Sequence, residues 1–127
     1  MKIGIDIGGS HIGIGLVDNN GSIIVKEEMF IKDKTNIEEK IEKFIIENVI
    51  KILQAYCVNE IGIAVPGTVY KNKIIKAVNL GIENYDLVGN LEKTLIKAGY
   101  AISIKLKSDG KCAALAEQKY GALKGYD

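Results

Sequence analysis

The sequence predicts an α/β domain, a mixed sheet with helices packed on it. Two observations carry that prediction. The chain opens with apolar residues at every second position, Ile3, Ile5 and Ile7, then Ile12, Ile14 and Leu16, which is the period of a strand with one buried face. Further on, Ile37, Ile41, Phe44, Ile45, Val49, Ile52, Leu53 and Tyr56 follow the 3.6-residue period of an amphipathic helix, and a strand-like run follows at once. A helix between two strands is a crossover unit, so the strands on either side of it are expected to lie parallel.

Each element can be read in order. Gly8-Gly9-Ser10 joins the first strand to the second, residues 12–17, and turn glycines able to take positive φ make this a β-hairpin. Asp18-Asn19-Asn20-Gly21 is the next turn, and residues 22–31 form a third strand, completing an antiparallel meander. Thr35 and Asn36, each three residues before Glu38 and Glu39, give overlapping capping-box signals for the long helix. Residues 58–65 are the strand after the crossover, and short strands follow. Asp86 or a neighbour begins a second helix through Leu87, Leu91 and Leu95, which Gly99 stops. Residues 101–106 are the last strand, leading to Asp109 and an alanine-rich helix that ends at Gly121.

Composition excludes several classes of protein. The 127 residues suit one domain, and with 47% hydrophobic and 26% charged residues the chain is globular rather than disordered. A net charge of +1 gives no electrostatic attraction to nucleic acid or anionic membranes. No apolar run approaches the ~20 residues of a membrane span, and no secretory signal is present. Cys57 and Cys112 lack CxxC spacing and read as two buried free thiols in a reducing cytosol. His11 has no histidine or cysteine partner nearby in sequence, so it reads as a strand residue beside the turn, within reach of a ligand there.

Four places carry candidate chemistry, each beside a plainer role. The Gly8-Gly9 tip lets backbone N–H groups approach a polyphosphate; Ser10 adds a hydroxyl and Asp6 a carboxylate able to hold Mg²⁺. The same residues also make an ordinary hairpin. Pro66-Gly67-Thr68, after the fourth strand, is a tight turn where backbone can meet a ligand or simply reverse direction. Asn79, in Ala77-Val78-Asn79-Leu80-Gly81, can bond a sugar hydroxyl or close an Asx-turn. Asp109, in Lys107-Ser108-Asp109-Gly110-Lys111, is placed as a helix N-cap and equally as a strand-end base facing a ligand crevice.

In this order, over all 127 residues, the motifs resemble the amino-terminal half of the ROK family of repressors and sugar kinases. Asp6-Ile7-Gly8-Gly9-Ser10 is similar to the family's phosphate loop, Pro66-Gly67 to its sugar-side loop, and Ala77-Val78-Asn79-Leu80 to the segment after it. Ser108-Asp109-Gly110-Lys111-Cys112-Ala113-Ala114-Leu115-Ala116-Glu117 is similar to its catalytic stretch, which Tyr120-Gly121 continues. The resemblance implies the actin-like ATPase and hexokinase fold: a ribonuclease H-like lobe with a mixed five-stranded sheet and flanking helices. Residues 1–127 would form the amino-terminal lobe of a cytoplasmic, glucokinase-like enzyme, with the carboxyl-terminal lobe and its structural zinc beyond Asp127.

The resemblance also implies roles. ATP with Mg²⁺ would phosphorylate a hexose or amino sugar, with Asp109 as base and Gly8, Gly9 and Ser10 cradling phosphate. Asp6 would hold the metal, and Gly67, Thr68, Asn79 and Ser108 would touch the sugar. The expected partners are sugar and nucleotide alone, without nucleic acid or membrane, and a homo-oligomer is compatible with the resemblance. Three positions depart from the family pattern. Ser108 and Lys111 replace asparagines, and Ile82-Glu83 stands where a tryptophan is common. Two alternatives stay open: a sugar-sensing lobe of a repressor, which would carry a DNA-binding segment before the first strand, and a non-catalytic sugar-binding module.

Overall fold

The described residues form eight strands in two sheets, and their pairing depends on which apolar faces meet. The computed structural model describes residues 1–108, so the alanine-rich helix, Asp109, Lys111 and Cys112 lie outside the described residues. Strands β1 (Lys2–Ile7), β2 (His11–Val17) and β3 (Ile23–Phe30) form the antiparallel meander. Helix α1 (Ile37–Ala55) crosses to β4 (Glu60–Val65), which pairs parallel to β1 as its crossover connection requires. Strand β8 (Ser103–Ser108) pairs parallel to β4, giving the five-stranded order β3-β2-β1-β4-β8.

The registers show why these pairings win. Ile14, Ile5, Ile63 and Leu106 form one row across four strands, and Leu16, Ile3, Ile61 and Ile104 form the next. All eight are buried, so a slip of one residue in any strand would turn its apolar side chains to water. Each such burial contributes about 1.5–3 kcal/mol. The alternate rows hold small and charged residues, Lys26-Gly15-Gly4-Gly62-Lys105 and Glu28-Gly13-Asp6-Ala64-Lys107. Helices α1 and α2 (Leu87–Lys97) both pack on the apolar face. There Ile41, Ile45, Val49 and Ile52 meet Leu91 and Leu95 in one core, and Asn90 Nδ2 donates to Glu42 at 3.0 Å between the helices.

Between β4 and α2 the short strands separate into a sheet of their own. Strands β5 (Thr68–Tyr70), β6 (Lys73–Ala77) and β7 (Ile82–Tyr85) are antiparallel, and a 3₁₀ turn, Val78–Leu80, links the last two. Ile74, Ala77, Leu80 and Ile82 bury themselves in the common core, which seats this small sheet against the domain.

Several expectations need correction. The third strand ends at Phe30, the fourth starts at Glu60, and the last runs two residues later than its apolar pattern suggested, ending at Ser108. Asn36 does not cap α1: its φ is 54° and its side chain makes no cap bond. Asp33 instead makes a turn ahead of the helix, accepting from Thr35 N at 3.0 Å and Thr35 Oγ1 at 2.8 Å, so the threonine hydroxyl is already engaged and cannot cap α1. Asp86 caps α2 as expected, accepting from Gly89 N at 3.0 Å, and Gly99 takes φ 95° beyond its end. Cys57 is free but exposed rather than buried, because it follows the last turn of α1 as the chain leaves the core.

Candidate functional site

Strands β1, β4 and β8 run parallel, so their carboxyl ends lie along one edge of the sheet. Gly8-Gly9-Ser10 leaves β1 there, Pro66-Gly67-Thr68 leaves β4, and Ser108 ends β8. Ligands of open α/β sheets bind outside such an edge, where the chain turns away and exposes backbone groups. The three segments therefore converge for a topological reason that no single motif contains.

The first turn is tight. Gly8 N donates to His11 O at 2.7 Å, which engages one of the amides expected to cradle phosphate. The N–H groups of Gly9 and Ser10 make no hydrogen bond among the described residues, and they remain as the available donors. Neither Gly8 nor Gly9 has positive φ, so the conformational reason for glycine foreseen in the sequence does not hold. The reason is space. A Cβ on Gly9 would stand 3.3 Å from the Cβ of Asn79, and one on Gly8 would stand 3.2 Å from His11 O. The phosphate-loop candidate thus packs directly on the sugar-segment candidate.

Asn79 lies in the 3₁₀ turn with its side chain exposed and without a hydrogen-bond partner among the described residues. It does not close an Asx-turn, because Gly81 N donates to Val78 O at 3.1 Å instead. Its own carbonyl accepts from the Lys34 ammonium, which ties the loop before α1 to this turn. Ile31 N donates to Ser10 O at 2.8 Å, so that loop also borders the glycine turn. Sequence reading did not single out Lys34, since nothing local distinguishes it from other surface lysines.

Gly67 is required by its backbone. Its φ is 123°, and a Cβ there would lie 2.1 Å from Lys76 O. Thr68 follows as the exposed first residue of β5, opposite Lys76. Ser108 Oγ donates to Gly67 O at 2.6 Å, so its proton is committed and its oxygen can only accept from a ligand hydroxyl. Gly9 thus approaches Asn79, Gly67 approaches Lys76 and Ala77 just before that turn, and Ser108 bonds Gly67, so the candidate segments are linked by contact.

Asp6 stands apart from that chain of contacts. It is half-buried on the helix-free face between Gly13 and Ala64, where it lines a shallow recess with His11, Gly15, Lys26 and Glu28. One carboxylate is what a phosphate-bound Mg²⁺ commonly takes from protein, with water and phosphate completing the octahedron. No cluster of three metal-binding side chains occurs among the described residues, so an all-protein metal cage is not what this region offers. His11 is engaged by its neighbours: its ring lies 5.4 Å from that of Phe30, and Nε2 is 3.6 Å from Glu28.

The five-stranded mixed sheet and its loaded carboxyl edge define a lobe of the actin-like ATPase and hexokinase class. The chain belongs to the ROK family, whose profile matches residues 2–127. A ROK glucokinase from Streptomyces griseus, solved with glucose and AMPPNP, superposes with a TM-score of 0.77 at 25% identity, over 94% of this chain and 36% of that one. An inorganic polyphosphate/ATP-glucomannokinase from Arthrobacter sp. strain KM gives 0.70 at 25% identity, over 94% and 48%. A ROK transcriptional regulator, a homologue of the E. coli Mlc protein, shares the fold at 0.69 and 20% identity, over 91% and 29%. The chain therefore spans less than half the length of each of these relatives. A sequence search of curated proteins finds no match. No helix among the described residues is long and apolar enough to cross a membrane.

Proposed function

We propose that this chain is the amino-terminal lobe of a cytoplasmic kinase that transfers phosphate from ATP to a hydroxyl of a hexose or amino sugar. The observation that supports this best is the convergence of Gly9, Asn79, Gly67 and Ser108 at the carboxyl edge of β1, β4 and β8, in a ROK-family chain. The glucokinase relative was solved with a sugar and an ATP analogue, which makes both ligand classes the natural ones to test.

The roles follow from chemistry. ATP with Mg²⁺ supplies the phosphoryl group and the charge neutralisation that its transfer needs. The N–H groups of Gly9 and Ser10 would orient phosphate oxygens, and the Asp6 carboxylate would hold the metal. Asn79 offers both a donor and an acceptor to sugar hydroxyls; Thr68 adds a hydroxyl, and Ser108 accepts one hydrogen bond. Asp109 follows Ser108 directly, lies outside the described residues, and is proposed as the base that takes the proton of the attacking hydroxyl.

A specific observation favours a second reading, because the same lobe occurs in a ROK transcriptional regulator. One experiment separates the two. The natural protein carrying this chain is assayed for ATP-dependent phosphorylation of glucose and N-acetylmannosamine, and for sugar-dependent change in DNA affinity. Phosphoryl transfer abolished by Asp109→Asn supports the kinase. Sugar-controlled DNA binding without transfer makes it a regulator, and sugar binding with neither makes it a binding module.

A further inference from the structure

The tip of the β5–β6 hairpin carries an arrangement that the candidate site above does not use. Lys71 and Asn72 are its two loop residues, with φ of 49° and 64°, the signature of a type I′ turn. Glycine would hold the second position with less strain, and asparagine is the side chain that best tolerates it. The Asn72 amide has a use that glycine lacks. Its Oδ1 accepts from Leu106 N at 2.8 Å, and its Nδ2 donates to Ile104 O at 3.0 Å. These are the outward-facing groups of β8, the edge strand, so one side chain stands in for a neighbouring strand.

The hairpin is thus held to β8 at both ends. Asn72 grips residues 104 and 106 at the tip, and Ser108 Oγ grips Gly67 O at the base. Between these points β5 lies along β8, and Thr68 and Gly67 can move relative to Ser108 only if one grip opens. Gly67 lies close against the backbone of Lys76 and Ala77 in β6, which places this loop beside the hairpin's own second strand. We infer that Asn72 is a positioning residue for the sugar side of the site. It touches no ligand, and it sets the distance between the Gly67-Thr68 loop and Ser108. This rests on the proposed sugar-binding reading for its functional consequence, though not for its structural one.

Asn72→Gly tests it, because glycine keeps the turn conformation and removes only the amide. Asn72→Asp is the companion: it keeps the acceptor for Leu106 N and loses the donor to Ile104 O. Amide exchange and resonances are followed by NMR in the chain, and glucose affinity, KM and kcat are measured in the natural protein. For Asn72→Gly the expected result is at least tenfold faster exchange at Leu106, shifted resonances at Gly67, Thr68 and Ser108, and glucose KM raised about five- to tenfold with kcat within twofold. Asn72→Asp is expected to fall between the two. Faster exchange at Leu106 with unmoved Gly67 and Ser108 and unchanged KM would overturn the inference and leave Asn72 as a plug for the strand edge. If the wild-type protein binds no sugar while Gly67 and Ser108 still respond, the sugar reading fails and the anchoring stands. A variant that fails to fold is replaced by Asn72→Asp, for which unchanged Gly67 resonances are equally fatal.

Discussion

Ser108 Oγ donates a 2.6 Å hydrogen bond to the carbonyl of Gly67, joining the ends of two parallel strands 41 positions apart in the chain. The bond fixes what Ser108 can do. Its hydroxyl proton is spent on protein, so its ligand chemistry is that of an acceptor, whereas an asparagine amide would bring a donor as well. Ser108→Ala is therefore expected to loosen the Gly67 loop and also remove one acceptor. Ser108→Asn is expected to change which sugar is preferred. The check is KM for glucose against N-acetylmannosamine in the natural protein, where an unchanged ratio in Ser108→Asn would show that this residue does not face the sugar.

Gly67→Ala is expected to be severely destabilising, by more than about 2 kcal/mol, because it combines positive φ with a clash against backbone. Nothing at Lys76 O can rotate away. Urea denaturation of the chain measures the loss, and a midpoint within error of wild type would contradict the geometry.

Substitution of Gly9 is expected to disturb both ligands. A new Cβ presses on Asn79, which must give by a few tenths of an ångström, and a β-branched side chain also obstructs the approach to the Gly9 and Ser10 amides. Gly9→Val should weaken nucleotide and sugar binding together, whereas a purely phosphate-side turn would spare the sugar. Calorimetry with AMPPNP and glucose, beside a thermal melt, distinguishes these outcomes.

Asp109→Asn in the natural protein is expected to lower turnover by roughly 10²–10⁴ while sugar affinity stays within about tenfold, since a base is lost and a hydrogen-bonding side chain kept. If Asp109 serves only as an N-cap, asparagine replaces it with almost no loss. Near-normal turnover would decide for the cap.

Asp33 gives a pH-dependent prediction. The Thr35 N–H bonded to it, then the Thr35 hydroxyl and Lys40, lower its pKa below the ordinary 3.8. A carboxylate lowered on folding stabilises the fold above its unfolded pKa, and that contribution disappears as pH falls through the folded value. The melting temperature of Asp33→Ala should therefore lie below wild type near neutrality, with the gap closing below about pH 4. A gap that is independent of pH would mean that the turn owes nothing to the charge.

Local periodicity carried much of this fold. Alternating isoleucines announced β1 and β2, the 3.6-residue stripe announced α1, and Asp86 announced the start of α2, because each of these signals is complete within a few residues. The capping of α1 was misread for the same reason. Thr35 and Asn36 look like caps only while Asp33 is left out of account, and its charged oxygen competes successfully for Thr35. At the glycine turn positive φ was the wrong reason, since neither glycine has it and the atom that crowds a side chain at Gly9 belongs to Asn79.

By itself the sequence determined the order of the long strands and helices, which of their faces are apolar, and which short segments carry glycine, hydroxyl and carboxylate chemistry. Tertiary structure alone decided that the short strands form a second sheet, that Asn72 replaces a strand at the edge of β8, that Gly9 meets Asn79, and that Ser108 bonds Gly67. The physical reason is the range of the forces. Backbone preference and hydrophobic period act over one or two turns of chain. The register of β1, β4 and β8 is set instead by burying their common apolar rows at once, and their carboxyl ends meet as a consequence of that register.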